Sequence, residues 1–251
     1  MLVEGKIRSL SVVVPIFNEE AVIRESLTML AEVLASLCAG YEILVIDDGS
    51  TDGTAAILDG LAPQIPGLKI LRLARNQGLG TALRHGFQNA SGEIVFYIDA
   101  DMPFQYGEVL RAVKVLDESR ADGVAGYRTN RHEEPLVRRL CSRIYNGCVR
   151  LLYGIRMRDV NCAFKLMRRE SLRKLDLKAK GSFIDAEWMA RSARQGYTIK
   201  EMGVEYQPRR ESGSRLFRAG PILKAFGEMV LLYPEVRRAG EVPTRTDRVC
   251  R

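Results

Sequence analysis

Apolar residues in the first hundred positions follow two alternating periods. Short apolar runs at Leu10–Pro15, Tyr41–Ile46, Leu68–Leu73 and Ile94–Ile98 are typical of strands, and those at Tyr41–Ile46 and Ile94–Ile98 predict buried strands. Between these runs apolar residues recur at helical spacing, most clearly from Val22 to Leu37. Four strand–helix repeats in a row predict an α/β fold with an open, mostly parallel sheet and helices on both faces.

After this region the pattern is less regular, and one domain is expected over residues 1–215. The pattern there predicts helices at 106–116, 135–152 and 183–193 and strands at 124–126, 163–167 and from Val204 onward. Residues 216–235 predict an amphipathic helix that either lies in a membrane interface or packs on the domain's own core. Residues 236–251 are polar and predict a disordered tail.

No run of eighteen uncharged apolar residues occurs, and the N-terminus lacks the pattern of a signal peptide. We therefore expect a cytoplasmic protein. The net charge is +7, but it is unevenly distributed, with eight arginines against two glutamates in residues 128–158. Such a basic segment can bind nucleic acid, anionic lipid or a phosphorylated substrate, and charge alone does not choose among them.

Each of the first four predicted strands is followed by a polar or glycine-containing loop. These loops cover residues 15–19, 47–54, 75–80 and 99–101. In parallel α/β sheets, ligands bind outside the carboxyl ends of the strands. The four loops should therefore converge on one site.

The fourth of these loops carries two carboxylates, Asp99 and Asp101, directly after an apolar run. Side chains alternate along a strand, so both would point the same way, and two like charges so close require a cation or water. Mg²⁺ and Mn²⁺ prefer such oxygen ligands and keep open positions for phosphates. The pair therefore suits a nucleoside diphosphate donor, and an exposed acidic loop is the alternative.

The chain resembles the inverting family 2 glycosyltransferases of GT-A fold, a Rossmann-like α/β architecture. Within them it is most similar to the dolichyl- and polyprenyl-phosphate mannose and glucose synthases. The motifs that carry this resemblance follow the family's order from residue 9 to about 216. They are Val14-Pro-Ile-Phe-Asn-Glu19, Asp47-Asp-Gly-Ser-Thr-Asp-Gly53, Asn76-Gln-Gly-Leu-Gly-Thr-Ala82, Asp99-Ala-Asp101 and Arg210-Glu-Ser-Gly-Ser-Arg215.

For the donor, the resemblance implies a nucleotide-binding set and a metal-binding set. The nucleoside would be held by Pro15, Glu19 and Asp48, with the loop from Gly78 to Gly80 close to it. Asp99 and Asp101 would hold Mg²⁺ or Mn²⁺ and the diphosphate. The family often has Gln two residues after the second Asp, whereas this chain has Pro103 there, which leaves Gln105 as the candidate third metal ligand.

For the acceptor, the resemblance implies a cluster of cations. Arg128, Arg138 with Ser142, and Arg210 match residues that would bind a lipid phosphate, which arginine forks do well. Family members that glycosylate a hydroxyl often carry a Glu-Asp pair, and here Asp185 occupies the Asp position with Ile184 in place of Glu. A hydroxyl needs a general base, whereas a phosphate is already an anion.

The leading hypothesis is inverting transfer of a hexose, from a donor of the UDP-glucose or GDP-mannose type, to a polyprenyl or dolichyl phosphate. Its catalytic candidates are Asp99, Asp101, Asp185 and Arg210, and its partner is the cytoplasmic face of a membrane or a membrane protein. The rival is transfer to a hydroxyl acceptor with Asp185 as base. A non-catalytic nucleic-acid-binding protein is disfavoured, because no nucleic-acid-binding motif is found and the acidic loops would repel a phosphate backbone.

Overall fold

The computed structural model describes residues 2–3, 6–101, 104–105, 107–130, 136–206 and 219–238. Two short strands, β1 (Leu2–Val3) and β2 (Lys6–Ile7), pair as an antiparallel ribbon. Seven further strands in the described ranges form one sheet. They are β3 (Leu10–Ile16), β4 (Tyr41–Asp47), β5 (Leu68–Arg72), β6 (Ile94–Ile98), β7 (Gly123–Arg128), β8 (Phe164–Arg168) and β9 (Ile199–Val204).

The strand order in this sheet is β5-β4-β3-β6-β8-β7-β9. Strands β3, β4, β5 and β6 are mutually parallel, and β7 is parallel to β9. Only β8, among the described strands of this sheet, runs antiparallel to both of its neighbours. The predicted mostly parallel sheet is therefore confirmed, and the carboxyl ends of β3 to β6 lie along one edge.

Helices cover both faces of the sheet, as the sequence predicts. They are α1 (Ile23–Leu37), α2 (Thr54–Leu61), α3 (Leu79–Asn89), α4 (Gly107–Glu118), α5 (Leu136–Tyr153), α6 (Arg169–Leu172), α7 (Ile184–Arg194), α8 (Ala219–Leu231) and α9 (Tyr233–Arg238). Helices α1, α2 and α4 pack on one face, and α3, α5, α7, α8 and α9 on the other. Each face of the sheet carries its own apolar core, and alternate residues of a strand point into the two cores. Val12 and Val14 lie in the first core, under α1, α2 and α4, and Val13 lies in the second core, on the other face.

Two elements differ from their predicted positions. Strand β9 ends at Val204 instead of beginning there, and it is held by pairing with β7. The C-terminal helix is divided into α8 and α9, and α9 continues to Arg238, three residues into the segment predicted as a tail. Its Val236 side chain is fully buried, which explains why the helix extends so far.

Helix α8 packs partly on the domain's own core. Ala225, Met229 and the following Leu232 are buried against the second core, whereas Leu223 and Val230 are exposed. The two alternatives for this segment are therefore not exclusive, because one side is core and the other faces outward. No helix within the described residues is long and apolar enough to cross a membrane.

Candidate active site

The loops after β3 and β4 are joined by side-chain hydrogen bonds at the carboxyl edge of the sheet. Asn18, in the left-handed backbone region with φ of 57°, accepts a 2.7 Å hydrogen bond from the Thr51 N–H. The Glu19 N–H donates to Thr54 Oγ1 at 2.9 Å. The Glu20 carboxylate accepts a hydrogen bond from the Gly53 N–H at 2.6 Å. The two predicted loops therefore form one unit, with Glu19 half-buried within it.

Asp48 connects this unit to the glycine loop before α3. Its two carboxylate oxygens accept hydrogen bonds from the N–H groups of Gln77 and Gly78 at 2.7 and 2.8 Å. Burial raises the pKa of Asp48, although these two hydrogen bonds oppose the shift. Asp48 thus fixes the backbone of the glycine loop, and its predicted contact with a nucleoside remains a prediction.

Gly78 and Gly80 are required because the chain here touches another backbone segment. Gly78 has φ of 95°, and a Cβ at this position would lie 2.5 Å from the Lys180 carbonyl oxygen. A Cβ on Gly80 would lie 2.3 Å from the Ala179 carbonyl oxygen. A larger residue at either position would force the two segments apart.

The segment that supports the glycine loop, residues 178–181, is itself held by two carboxylates. Glu187 in α7 accepts hydrogen bonds from the N–H groups of Lys178 and Ala179 at distances between 2.7 and 3.0 Å. Glu228 in α8 accepts them from Lys180 and Gly181, both at 2.9 Å. Helix α8 therefore contacts, through Glu228, the segment that packs against the glycine loop of the predicted nucleotide site.

Asp99 and Asp101 follow β6 in a turn instead of continuing the strand, so the period-two argument does not apply to them. The Tyr97 hydroxyl donates to Asp99 Oδ1 at 3.0 Å. Burial raises the pKa of Asp99 to about 7, and the carboxylates of Asp101 and Asp185 add to the shift. The two residues are thus electrostatically coupled, as the sequence suggests.

This excess of negative charge fits a divalent cation. Carboxylate oxygens are the donors that Mg²⁺ and Mn²⁺ prefer, and a bound cation would relieve the repulsion between Asp99 and Asp101. Within the described residues no group of three or more His, Cys, Asp or Glu side chains forms a metal-binding cluster. Gln105, the candidate third ligand, is exposed, and its role remains a prediction.

Asp185 lies in the interior, paired with a lysine that the sequence analysis did not single out. Lys165 Nζ is 2.5 Å from Asp185 Oδ1 and also donates to the Cys162 carbonyl oxygen at 2.6 Å. The lysine is fully buried, and Asp185 is 4% exposed. Burial raises the pKa of Asp185, whereas the Lys165 ammonium opposes that shift.

Lys165 also lies near the Asp99 carboxylate. It is aligned with Tyr97 across the β6–β8 pair, and its ammonium is 5.9 Å from the centre of the Tyr97 ring. The Tyr97 hydroxyl bonds Asp99, and the Lys165 ammonium opposes the rise in the pKa of Asp99. This one buried cation therefore acts on both Asp99 and Asp185. A lone lysine in the apolar run 163–167 was the sequence signal that could have revealed it.

The predicted acceptor residues are only partly covered by the structure. Arg128, at the end of β7, forms a two-pronged ion pair with Asp159, with Nε–Oδ2 and Nη2–Oδ1 distances of 2.7 and 3.0 Å. Ser142 is half-buried in α5. The Arg138 side chain and the whole of Arg210 lie outside the described residues, and the acceptor role of all four residues remains a prediction.

Arg128 is also held from its other side. Its guanidinium lies 5.5 Å from the centre of the Tyr206 ring. Asp159, the partner of Arg128, was not identified from the sequence and had no local signal there.

Pro15, predicted to contact the nucleoside, is buried within β3 beside Ile46.

The sheet order, the converging loops and the carboxylate pair together define a GT-A glycosyltransferase fold. The model of the family "Glycosyl transferase family 2" matches residues 11–176. The chain therefore belongs to glycosyltransferase family 2, and the resemblance inferred from its motifs is confirmed.

Several curated relatives have names that specify lipid phosphates. The chain is 37% identical over 169 residues to an undecaprenyl-phosphate 4-deoxy-4-formamido-L-arabinose transferase of Serratia proteamaculans, covering 65% of this chain and 50% of the relative. It is 28% identical over 212 residues to the dodecaprenyl-phosphate galacturonate synthase of Rhizobium johnstonii, covering 82% and 61%. It is 30% identical over 215 residues to the glycosyltransferase AglD of Haloferax volcanii, covering 83% and 34%. The chain thus spans between a third and about three fifths of these relatives.

Solved structures support the fold at lower identity. A Mycobacterium tuberculosis glucosyl-3-phosphoglycerate synthase bound to UDP is 22% identical, with a TM-score of 0.65, covering 95% of this chain and 82% of that one. A Pyrobaculum calidifontis mannosyltransferase bound to GDP-Man and Mn²⁺ is 21% identical, with a TM-score of 0.61, covering 94% and 70%.

Proposed function

We propose that this protein transfers a hexose from a nucleoside diphosphate sugar to a polyprenyl phosphate, with inversion and with Mg²⁺ or Mn²⁺. Family membership and the names of the curated relatives support this reading. The observation that carries the choice of acceptor is the buried ion pair between Lys165 and Asp185.

A general base must reach the hydroxyl whose proton it accepts. Asp185 is 4% exposed, and one of its oxygens is held 2.5 Å from Lys165. Burial raises the pKa of Asp185, so its affinity for a proton does not exclude it; but the oxygen bonded to Lys165 is occupied, and a proton taken there would leave the buried Lys165 ammonium without its counter-ion. The pair therefore acts against Asp185 as a base and favours an acceptor that needs none. A lipid monophosphate, ionised at neutral pH, meets this requirement.

In the proposed reaction, a phosphate oxygen of the acceptor attacks the anomeric carbon of the sugar. The new carbon–oxygen bond forms as the bond to the nucleoside diphosphate breaks, and the nucleoside diphosphate leaves. Asp99 and Asp101 would hold the divalent cation, which supplies positive charge to the diphosphate. Asp48, with the Gly78–Gly80 loop, would shape the nucleoside site.

The acceptor is a membrane lipid, so we further propose that the protein binds a membrane surface through α5 and α8. The exposed large apolar side chains of α5 are Leu136, Val137, Leu140, Ile144 and Leu151, and those of α8 are Leu223, Val230 and Leu231. Edge-to-face contact between Tyr145 and Phe226, at 5.7 Å, joins the two helices. Their exposed apolar side chains suit an interfacial position.

This proposal goes beyond the sequence expectation, which considered only the C-terminal segment as a possible interface and left packing on the core as the alternative. Deleting the C-terminal segment would be a poor test of the proposal, because α8 also supports residues 180–181 through Glu228. Replacing Leu140 and Ile144 by Ser is the better test in a vesicle-flotation assay. Loss of flotation with retained folding supports an interfacial α5, and unchanged flotation would instead favour a membrane protein as the partner.

The transfer proposal is tested by a donor screen with UDP-glucose, GDP-mannose and related donors, using a polyprenyl phosphate acceptor. Arg138→Ala and Arg210→Ala should reduce transfer far more than they reduce donor hydrolysis. Asp185→Asn should reduce transfer per folded molecule much less than either arginine variant. Loss of transfer in folded Asp185→Asn, with both arginine variants active, would favour the hydroxyl acceptor.

A further inference from the structure

A strongly basic cavity of about 730 Å³ opens on the surface beside α5, the segment 155–158 and β9. None of its described lining residues is among those assigned to donor, metal or acceptor phosphate. The cations that line it are Arg143, Arg150, Arg156, Arg158 and Lys200. We propose that this cavity binds the phosphate headgroup of an anionic phospholipid.

The charge balance of the cavity favours an anion. Glu201 is the one carboxylate among its described lining residues, against five cations. Its Oε1 accepts a hydrogen bond from the Arg158 N–H at 2.8 Å. The Arg158 guanidinium stacks over the Tyr127 ring at 4.5 Å, which fixes its position at the cavity wall. Clustered like charges repel one another, so a bound phosphate would stabilise the arrangement.

The position of the cavity favours a lipid as the source of that phosphate. Arg143 and Arg150 are seven residues apart and lie on one row of α5, as two helical turns require. Ile144 and Leu151, each one residue further along, belong to the neighbouring exposed apolar row. With the apolar row in the acyl boundary, the arginine row would lie at headgroup depth. The guanidinium groups and the apolar side chains would thus contact the same lipid layer.

This site differs from the predicted acceptor site, which involves Arg128, Arg138 and Arg210. Headgroup binding rests on the membrane orientation proposed above, but it does not depend on sugar transfer. A second phosphate contact would fix how the protein is rotated on the membrane, whereas an apolar stripe alone leaves that rotation loosely defined.

The test is flotation of the full chain with vesicles of phosphatidylcholine alone or mixed with phosphatidylglycerol. The test variant combines Arg150→Gln with Arg156→Gln. The matched control combines Lys224→Gln with Arg238→Gln, which removes the same charge from exposed positions of α8 and α9 on the same side of the sheet as α5 but outside the cavity. A third arm repeats the phosphatidylglycerol assay with soluble glycerol phosphate as competitor.

We expect the cavity variant to bind phosphatidylglycerol vesicles about thirtyfold more weakly, equivalent to about 2 kcal/mol for two cations. The control should lose clearly less binding than the cavity variant, and glycerol phosphate should compete poorly. Equal losses in both variants would show diffuse attraction and overturn the site. Full competition by glycerol phosphate would show a soluble anion as ligand and overturn the lipid assignment. Transfer to a short-chain polyprenyl phosphate in detergent should be unchanged in the cavity variant, which separates this proposal from the proposed function.

Discussion

Replacing Lys165 by Met tests how much the buried ion pair between Lys165 and Asp185 stabilises the folded protein. The substitution keeps a long apolar side chain but leaves the Asp185 carboxylate, 4% exposed, without its cation. Removing one partner of a buried pair typically costs about 3–5 kcal/mol. The Cys162 carbonyl oxygen also loses its hydrogen bond from Lys165, a loss included in that range. We therefore expect the free energy of unfolding to fall by about 3–5 kcal/mol.

The assay is urea denaturation followed by circular dichroism at neutral pH. The double variant Lys165→Met with Asp185→Leu removes both charges, and it should recover at least about 2 kcal/mol relative to the sum of the single variants. Lys178→Met is the control, because Lys178 forms ion pairs with Asp176 and Glu235 while its side chain is 46% exposed. It should leave stability close to that of the wild type, because solvent screens an exposed ion pair.

The reasoning would be refuted if Lys165→Met unfolded at the wild-type urea concentration. It would equally be refuted if the effects of the single variants simply added in the double variant. Either result would mean that Asp185 does not depend on Lys165 for its charge, and Asp185 would again be available as a general base.

Three further predictions concern the metal, the loop support and the response to acid. Asp101→Asn should lower transfer roughly hundredfold without changing the melting temperature, and near-normal rates in chelator would contradict the metal role. Glu228→Gln should weaken nucleotide binding measured by calorimetry, because the 180–181 segment loses a charged acceptor; the exposed Glu235→Gln should not. For Glu42, burial raises the pKa, but hydrogen bonds from Lys69, Ser11 and Ser91 outweigh it and lower the pKa to about 2. The ionised form of Glu42 should therefore add about 1–3 kcal/mol of stability, a range reduced because Lys69 is half-exposed. This stability is present above about pH 4.5 and is lost as the pH falls toward 2. Urea titrations of the wild type and Glu42→Gln at pH 7 and about pH 3 check this, and an equal loss of stability in acid for both proteins would contradict it.

The fold was largely predictable because its strands carry strong periodic signals. The runs ending at Ile16, Asp47 and Ile98 are buried on both faces, so each appears as a continuous apolar segment. Strand β5, at the edge of the sheet, is only half-buried, and the exposed Lys69 and Arg72 interrupt its apolar pattern. The polar loops that follow these strands are local features, and the parallel topology brings them to one edge. The sequence therefore predicted which loops meet at this edge, whereas their role in donor binding remains a prediction.

The contacts around Asp185 and behind the glycine loop were not predictable, because they join residues distant in the sequence. Lys165 and Asp185 are 20 positions apart, and Glu228 reaches back 47 positions to Gly181. The periodicity of apolar residues predicts helices and strands, but it does not specify which buried carboxylate will pair with a given buried cation. The C-terminal helix was predicted, but its division between core and exposed sides depends on packing against α5.

The most direct measurement compares two lipid acceptors that differ only in their head group, which is a phosphate in one and a hydroxyl in the other. Purified protein with Mn²⁺ and a radiolabelled sugar nucleotide is given either a polyprenyl phosphate or the corresponding polyprenol, and the labelled lipid is quantified. We predict transfer to the phosphate, with no labelled product from the alcohol, because the buried ion pair with Lys165 keeps Asp185 from acting as the base for a hydroxyl. Efficient transfer to the alcohol, lost in folded Asp185→Asn, would contradict the account.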